Sequence, residues 1–136
     1  MFERKTIHLP FTFTLNWNPG YSYAKIPKEL TSIPPYWIAL STPVTPPDRG
    51  FCEFRNIVIQ NVEIVNAGRI FSAIGLPDKP IINVTFTNVN AQGNEAGSIE
   101  YASNWTMRNV KLRTRNGAPV NGSNSENGQT PEVLKQ

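Results

Sequence analysis

The chain has 136 residues, of which 39% are hydrophobic and 17% are charged, so it is long enough for one domain with a real core and too short for two independent ones. Its formal charge of +3 comes from scattered lysines and arginines, which excludes the continuous basic stripe of a nucleic-acid-binding protein. Cys52 is the only cysteine, which excludes an intramolecular disulfide and a cysteine-based metal site. No window has the roughly 18 apolar residues of a membrane span, and the first residues lack the apolar stretch of a signal peptide.

A strand is predicted near the beginning of the chain, followed by a long proline-rich excursion. Residues 11–17 alternate between apolar and polar side chains, which is the two-residue period of a strand with one buried face. Prolines interrupt residues 18–50 repeatedly and leave room only for short helices near residues 28–30 and 36–40.

An internal repeat begins at residue 56 and is the strongest feature of the sequence. Residues 56–64 align with residues 83–91 and 104–112, and these copies, which we call rungs, start 27 and then 21 residues apart. The variable spacing is typical of stacked segments whose connecting loops differ in length. Apolar and polar residues alternate on either side of a central asparagine in each rung, which predicts strands that bend at that asparagine.

Stacking the rungs aligns their apolar positions into columns and their asparagines into a ladder. The columns are predicted to form the core, because one rung alone cannot bury its inner face. Asn61, Asn88 and Asn109 fall at equivalent turns, where asparagine tolerates left-handed backbone geometry and can hydrogen-bond to the next rung. The columns are Ile57, Val84, Trp105; Ile59, Phe86, Met107; Val62, Val89, Val110; and Ile64, Ala91, Leu112.

Weaker signals predict a third strand in each repeat and a polar tail. The third strands are expected at residues 69–74 and 97–101, and Val120 is expected to begin the next one. The end of the chain is rich in Asn, Gly and Ser, which predicts mobility over residues 121–136, with one closing turn at residues 131–134.

These elements together predict an all-β protein with the architecture of a parallel β-helix. The predicted solenoid is short, with about three to four coils. It forms a single domain over residues 1–120, from which residues 18–50 leave as the proline-rich loop excursion.

At this level of detail the sequence resembles a known family, the polygalacturonase-like glycoside hydrolases of family 28, and most closely its bacterial members. The resemblance rests on residues 11–24, on residues 54–62 and on the later rungs through Val120. It implies a right-handed parallel β-helix from enzymes that cut pectin-type polysaccharides and are typically secreted or periplasmic. It also implies that these segments are the last coils before the C-terminus.

The catalytic motifs of that family do not occur in this sequence. The resemblance implies aspartates in Asn-Thr-Asp and Asp-Asp motifs, followed by Gly-His-Gly and Arg-Ile-Lys, whereas the chain has only two aspartates, Asp48 and Asp78, each beside a proline. Inverting glycosidases need an acid and a base roughly 6.5–9.5 Å apart, and we interpret Glu63, Glu100 and His8 as ordinary strand residues. We therefore predict no catalytic residue, no metal site and no cofactor.

Three functions follow as hypotheses. The first is a structural, non-catalytic C-terminal section of a pectin-degrading hydrolase. The second is a carbohydrate-binding module for an acidic polysaccharide, in which aromatic rings stack on sugars and lysine meets uronate carboxylates, although packing of the long loop onto the β-helix is the simpler explanation for large aromatics. The third is a homo-oligomer formed through the exposed end of the solenoid. No nucleic-acid or membrane partner is predicted. The candidate substrate-binding residues are Trp17, Tyr21, Tyr23, Lys25, Tyr36 and Trp37.

Overall fold

A computed structural model describes residues 8–15, 24–50 and 52–136. The chain divides into two compact units, one drawn from Met1–Leu15 and Glu53–Gln136 and the other from Asn16–Cys52. The second unit closely matches the proline-rich excursion predicted over residues 18–50. No helix in the described ranges has the length and apolar character that crossing a membrane requires.

The first unit is built from parallel strands. They form one seven-stranded sheet in the order β1-β2-β3-β5-β7, with β4 and β6 also paired to β3, and every strand pair is parallel. The all-β prediction is therefore confirmed. The strands are β1 Phe11–Thr14, β2 Arg55–Ile74, β3 Ile81–Glu100, β4 Ala102–Ser103, β5 Thr106–Thr114, β6 Asn121–Ser123 and β7 Glu132–Lys135.

Three of the four predicted columns of apolar side chains are confirmed by the strand register, and the first is confirmed for Ile57 and Val84. Residues 59, 86 and 107 are cross-strand partners, as are the members of the two following columns. Val84, Phe86, Ala91 and Leu112 are fully buried, because alternate side chains of a strand point to the same face. The rungs therefore stack with their apolar faces in contact, as the sequence indicates.

Aromatic rings fill the centre of this core. The ring of Phe86 lies 5.3 Å from that of Phe71 and 5.7 Å from that of Trp105, measured between centroids. Trp105 is buried, and its Nε1–H donates to the Ile81 carbonyl over 2.9 Å, so its polar atom keeps a partner inside the core. Phe11 of β1 stacks on Phe71 at 5.2 Å. The predicted strand at residues 11–17 is thus tied to the core through its first four residues, and residues 16 and 17 lie outside the described ranges.

The asparagine ladder is confirmed, and Asn56 and Asn83 form a second, separate row. The Nδ2 of Asn88 donates to the Oδ1 of Asn61 over 3.2 Å, and the Nδ2 of Asn109 donates to the Oδ1 of Asn88 over 2.9 Å. Asn83 donates in the same way to Asn56 over 3.1 Å. All five asparagines have a φ between 52° and 59°, the left-handed region that asparagine tolerates better than most residues. The ladder residues therefore bend the chain and join neighbouring rungs at the same time.

The third strands are continuous with the rungs that precede them. β2 and β3 each run for 20 residues, and their register shifts once between Ile64 and Ala67. Near the end of β3, Gly97 has a φ of 97° and pairs with Phe71. A Cβ atom there would collide with the Phe71 carbonyl oxygen, so the close approach of β2 and β3 requires glycine.

Two local predictions are wrong. Residues 28–30 form a turn closed by a 3.3 Å hydrogen bond from the Leu30 N–H to the Pro27 carbonyl, because Pro34 follows too soon for a helix to extend. Residues 132–134 lie in strand β7 and not in a closing turn, because Val133 pairs with Leu112 and packs against the core. The mobility expected for residues 121–136 stays a prediction.

The second unit contains the one helix found in the described residues, α1 at Pro35–Ser41. It confirms the short helix predicted near residues 36–40. Proline at its first position fits helix entry, because the missing N–H has no intrahelical acceptor there. A 3₁₀ turn follows at Pro47–Gly50.

Two substitutions of Asn88, the central ladder residue, are expected to separate the effect of its hydrogen bonds from the effect of its left-handed backbone conformation. Asn88→Gly keeps the left-handed backbone and removes both ladder bonds, which we expect to cost about 1 kcal/mol of unfolding free energy. Asn88→Ala adds the left-handed penalty of about 1–2 kcal/mol. Asn124 has a φ of 49° and is exposed, so Asn124→Gly is the matched control and should change stability by less than about 0.5 kcal/mol. Equal losses for Asn88→Gly and Asn124→Gly in urea titrations would contradict the ladder.

The glycine at the β2–β3 approach gives a second test of the packing. Gly97→Ala is expected to cost about 3 kcal/mol or more, because the new methyl group meets backbone and the positive φ is strained. Gly122→Ala provides the control, since a Cβ there has nothing within 4 Å. The measurement is the midpoint of urea unfolding, compared between variants whose unfolding free energy depends on urea with the same slope. Similar midpoints for the two variants would show that β2 and β3 do not approach each other this closely at Gly97.

Candidate functional site

An open groove of about 550 Å³ runs along the asparagine ladder. Its floor is the row of ladder amides, each of which carries both donors and an acceptor. Charged and polar side chains from the same strands form its side. The lining residues are Asn61, Val62, Glu63, Asn88, Val89, Asn90, Asn109, Lys111 and Arg113.

The strand register places the polar residues of the groove in one outward row. Glu63 of β2 pairs with Asn90 of β3, Asn90 pairs with Lys111 of β5, and Lys111 pairs with Glu132 of β7. Neighbouring strands lie about 4.8 Å apart, so Glu63 and Lys111 are separated by roughly twice that distance along the row. All four residues are exposed, since they alternate with buried positions of the core columns.

Two cations dominate the charge of this groove. Lys111 and Arg113 face it together with a single carboxylate, that of Glu63. No ion pair engages Lys111 or Arg113 in the described part of the chain, whereas Arg69 is paired with Glu95 at 3.3 Å and Lys79 with Glu53 at 3.2 Å. The groove therefore offers amide groups suited to hydroxyls and positive charge suited to an acidic group.

Sequence reasoning did not identify Lys111 and Arg113 as groove residues. The signal was present in the repeat, because Glu63, Asn90 and Lys111 occupy the same polar position after the central asparagine of each rung. The side chain at this position is acidic in the first rung, an amide in the second and basic in the third. A polar position of this kind indicates the outer surface, whereas a position that is apolar in every rung indicates the core.

The carboxylates do not form a glycosidase pair within the described residues. Glu63 is the only acidic residue that lines the groove. Glu53 and Asp78 line a smaller cavity of about 170 Å³, but both oxygens of Glu53 are in ion pairs, with Arg55 at 3.5 Å and with Lys79 at 3.2 Å. We interpret this cluster as a surface ion-pair network that ties residue 53 to the turn around residue 79, a tertiary pairing that no local pattern indicates.

The three predicted substrate-binding residues that the structure describes, Lys25, Tyr36 and Trp37, lie in the second unit. Tyr36 is 60% exposed on α1, Lys25 is exposed and Trp37 is half-buried. The rings of Tyr36 and Trp37 are 6.0 Å apart and tilted by 38°, so they touch but do not form one flat platform. The N–H of Ala24 donates to the carbonyl of Leu40 over 3.0 Å, which holds the segment before Lys25 against the end of α1.

Three of the six predicted substrate-binding residues, Trp17, Tyr21 and Tyr23, fall outside the described residues. His8 and Cys52 are exposed, and the carbonyl of His8 accepts the Arg69 N–H over 2.9 Å. Among the residues that the structure describes, no group of three or more His, Cys, Asp or Glu side chains is placed to hold a metal ion.

The groove and the α1 aromatics are thus the two surfaces with recognisable binding chemistry. Comparison of the chain with protein-family models, with curated proteins and with solved structures finds no match.

Proposed function

We propose that the first unit is a short right-handed parallel β-helix. The all-parallel strand pairing supports this architecture, together with the bends at the ladder asparagines and the successive pairing of β2 with β3 and of β3 with β5. Parallel strands connected in this way bury a continuous core only by stacking, since each rung contacts its neighbours alone.

On this basis the chain functions as the C-terminal coils of a polygalacturonase-like glycoside hydrolase, where it extends the β-helix structurally and performs no hydrolysis itself. The observation that carries this proposal is the groove beside the ladder, where Glu63 is the one carboxylate among the described lining residues. Hydrolysis of a glycosidic bond in most families uses two carboxyl groups, one as an acid and one as a base or nucleophile. A groove with one carboxylate and two cations can hold an acidic sugar but lacks the second group.

The non-catalytic role predicts that the isolated chain releases no reducing ends from polygalacturonate above a buffer blank. Glu63→Gln should leave that background unchanged, because the residue has no partner carboxylate in the groove. Glu132→Gln, on the same outward row, is the control for loss of a negative charge. Release of reducing ends that disappears in Glu63→Gln but persists in Glu132→Gln would refute the proposal.

A second candidate function is binding of an acidic polysaccharide in the same groove. The unpaired Lys111 and Arg113 favour it, because charge-assisted hydrogen bonds from cations to carboxylates are the strong ones at such sites. The α1 aromatics are the competing location, where Tyr36 and Trp37 would stack on sugar rings with Lys25 nearby in sequence. The two locations differ in the interaction that dominates, which is charge in the groove and stacking at α1.

Calorimetric titration with oligogalacturonates distinguishes the two locations. If the groove binds, Lys111→Gln and Arg113→Gln should each weaken binding several-fold, and binding should fall as salt is raised. Arg115→Gln, an exposed cation that does not line the groove, should leave the affinity unchanged. Loss of binding in Trp37→Ala with no effect of the groove variants would instead assign the site to α1.

A further inference from the structure

The groove beside the asparagine ladder carries opposite charges at its two ends. Glu63 lines it on β2, whereas Lys111 and Arg113 line it on β5, and the lining residues of β3 between them are uncharged. Glu63 pairs with Asn90, and Asn90 pairs with Lys111, so the acidic and basic positions lie two strand spacings, or roughly 10 Å, apart along the backbone. The groove therefore has a negative end on β2 and a positive end on β5.

The charges of the groove are not neutralised by other described residues. Ion pairs in the described part of the chain use Glu53 and Glu95 as their acids, and Glu63 takes part in none of them. Glu63, Lys111 and Arg113 are also exposed. Both ends of the groove are therefore available to charged or polar groups of a ligand.

Neutral hydrogen-bonding groups occupy the middle of the groove. Asn90 is exposed between the two charged ends. Asn88 and Asn109 each donate one ladder bond through Nδ2, which leaves the second proton of each amide for a ligand. Hydroxyl groups donate and accept hydrogen bonds, as amides do, so the middle of the groove suits the hydroxyls of a sugar.

The two ends of the groove favour different groups on a bound oligosaccharide. A ligand carboxylate beside Glu63 would be repelled by the like charge, whereas a sugar hydroxyl would donate a charge-assisted hydrogen bond to it. Lys111 and Arg113 lie on the same face of β5, because they are two residues apart, and these cations favour a carboxylate. A chain with a carboxylate on every residue would place one of them against Glu63.

From these observations we propose that the groove selects an acidic oligosaccharide whose carboxylate lies over β5 and whose neighbouring residue over β2 is neutral. Glu63 determines this specificity, because it accepts a hydroxyl from the neutral sugar and repels a second carboxylate. The inference rests on the proposed binding of an acidic polysaccharide in the groove. It adds the distribution of charge along the ligand and the direction in which the ligand lies across the strands.

The test is calorimetric titration of the full chain with trigalacturonate probes that differ only in methyl esterification. One probe has every carboxylate free, two have a single free carboxylate at one or the other terminal residue, and one is fully esterified. We expect one single-carboxylate probe to bind at least about threefold more tightly than its regioisomer, because only one direction keeps the carboxylate away from Glu63. The same probe should bind no more weakly than the fully charged probe, and the fully esterified probe should bind most weakly.

Substitution of Glu63 tests its role directly. Glu63→Gln keeps an acceptor oxygen and removes the negative charge, so it should strengthen binding of the fully charged probe by at least about threefold. Binding of the preferred single-carboxylate probe should stay within about twofold of the wild type. Glu126→Gln is the matched control, because Glu126 is exposed and lies outside the groove; it should change the affinity for either probe by less than about twofold.

The outcomes separate this inference from the binding function on which it rests. If the fully charged probe binds most tightly and Glu63→Gln changes nothing, while Lys111→Gln still weakens binding, the groove binds acidic sugars but the selection by Glu63 is wrong. Equal gains in Glu63→Gln and Glu126→Gln would also overturn the selection, since net charge alone would explain them. Absence of binding by every probe would overturn both the inference and the proposed binding function.

Discussion

Hydrogen bonds between stacked asparagine side chains set the geometry on which the rest of the structure depends. Each ladder asparagine holds a left-handed backbone conformation, which in β2 and β3 bends a 20-residue strand without ending its pairing. The bonds of 2.9–3.2 Å between Asn61, Asn88 and Asn109 keep equivalent positions of three rungs in line. Once the rungs are in line, their apolar residues must meet in columns, because side chains alternate with a fixed period of two.

The same register creates the surfaces that matter for function. Polar residues that alternate with the core columns form the outward row from Glu63 to Lys111, and the ladder amides beside it form the floor of the groove. The direction of the ladder makes the two ends of the stack unequal. At one end Gln129 and β7 lie against β5, and at the other end β1 pairs with Phe71–Ile74 of β2. The groove and the core therefore have a common structural origin.

The core and the ladder were predictable from the sequence because the repeat reveals both. The core depends on the two-residue alternation of apolar side chains within each rung, and the ladder depends on the asparagine at the central turn. Features that depend on tertiary contacts were not predictable in this way. β7 forms because β5 offers it an edge, although the tail has a polar composition typical of mobile segments. Gly97 is required by the Phe71 carbonyl of another strand. Tyr36 and Trp37 are adjacent in sequence, but only the structure gives the tilt between their rings.

Exchange of the asparagine side-chain amide protons, followed by nuclear magnetic resonance, tests the ladder and its direction in one measurement. The donors Asn83, Asn88 and Asn109 should exchange more slowly than the exposed Asn124, because each Nδ2 group donates to a ladder oxygen. Asn56 and Asn61 should exchange as fast as Asn124, because their Nδ2 groups donate to no acceptor among the described residues. Equal exchange at all six residues would contradict the ladder, and protection of Asn61 in the isolated chain would contradict its direction.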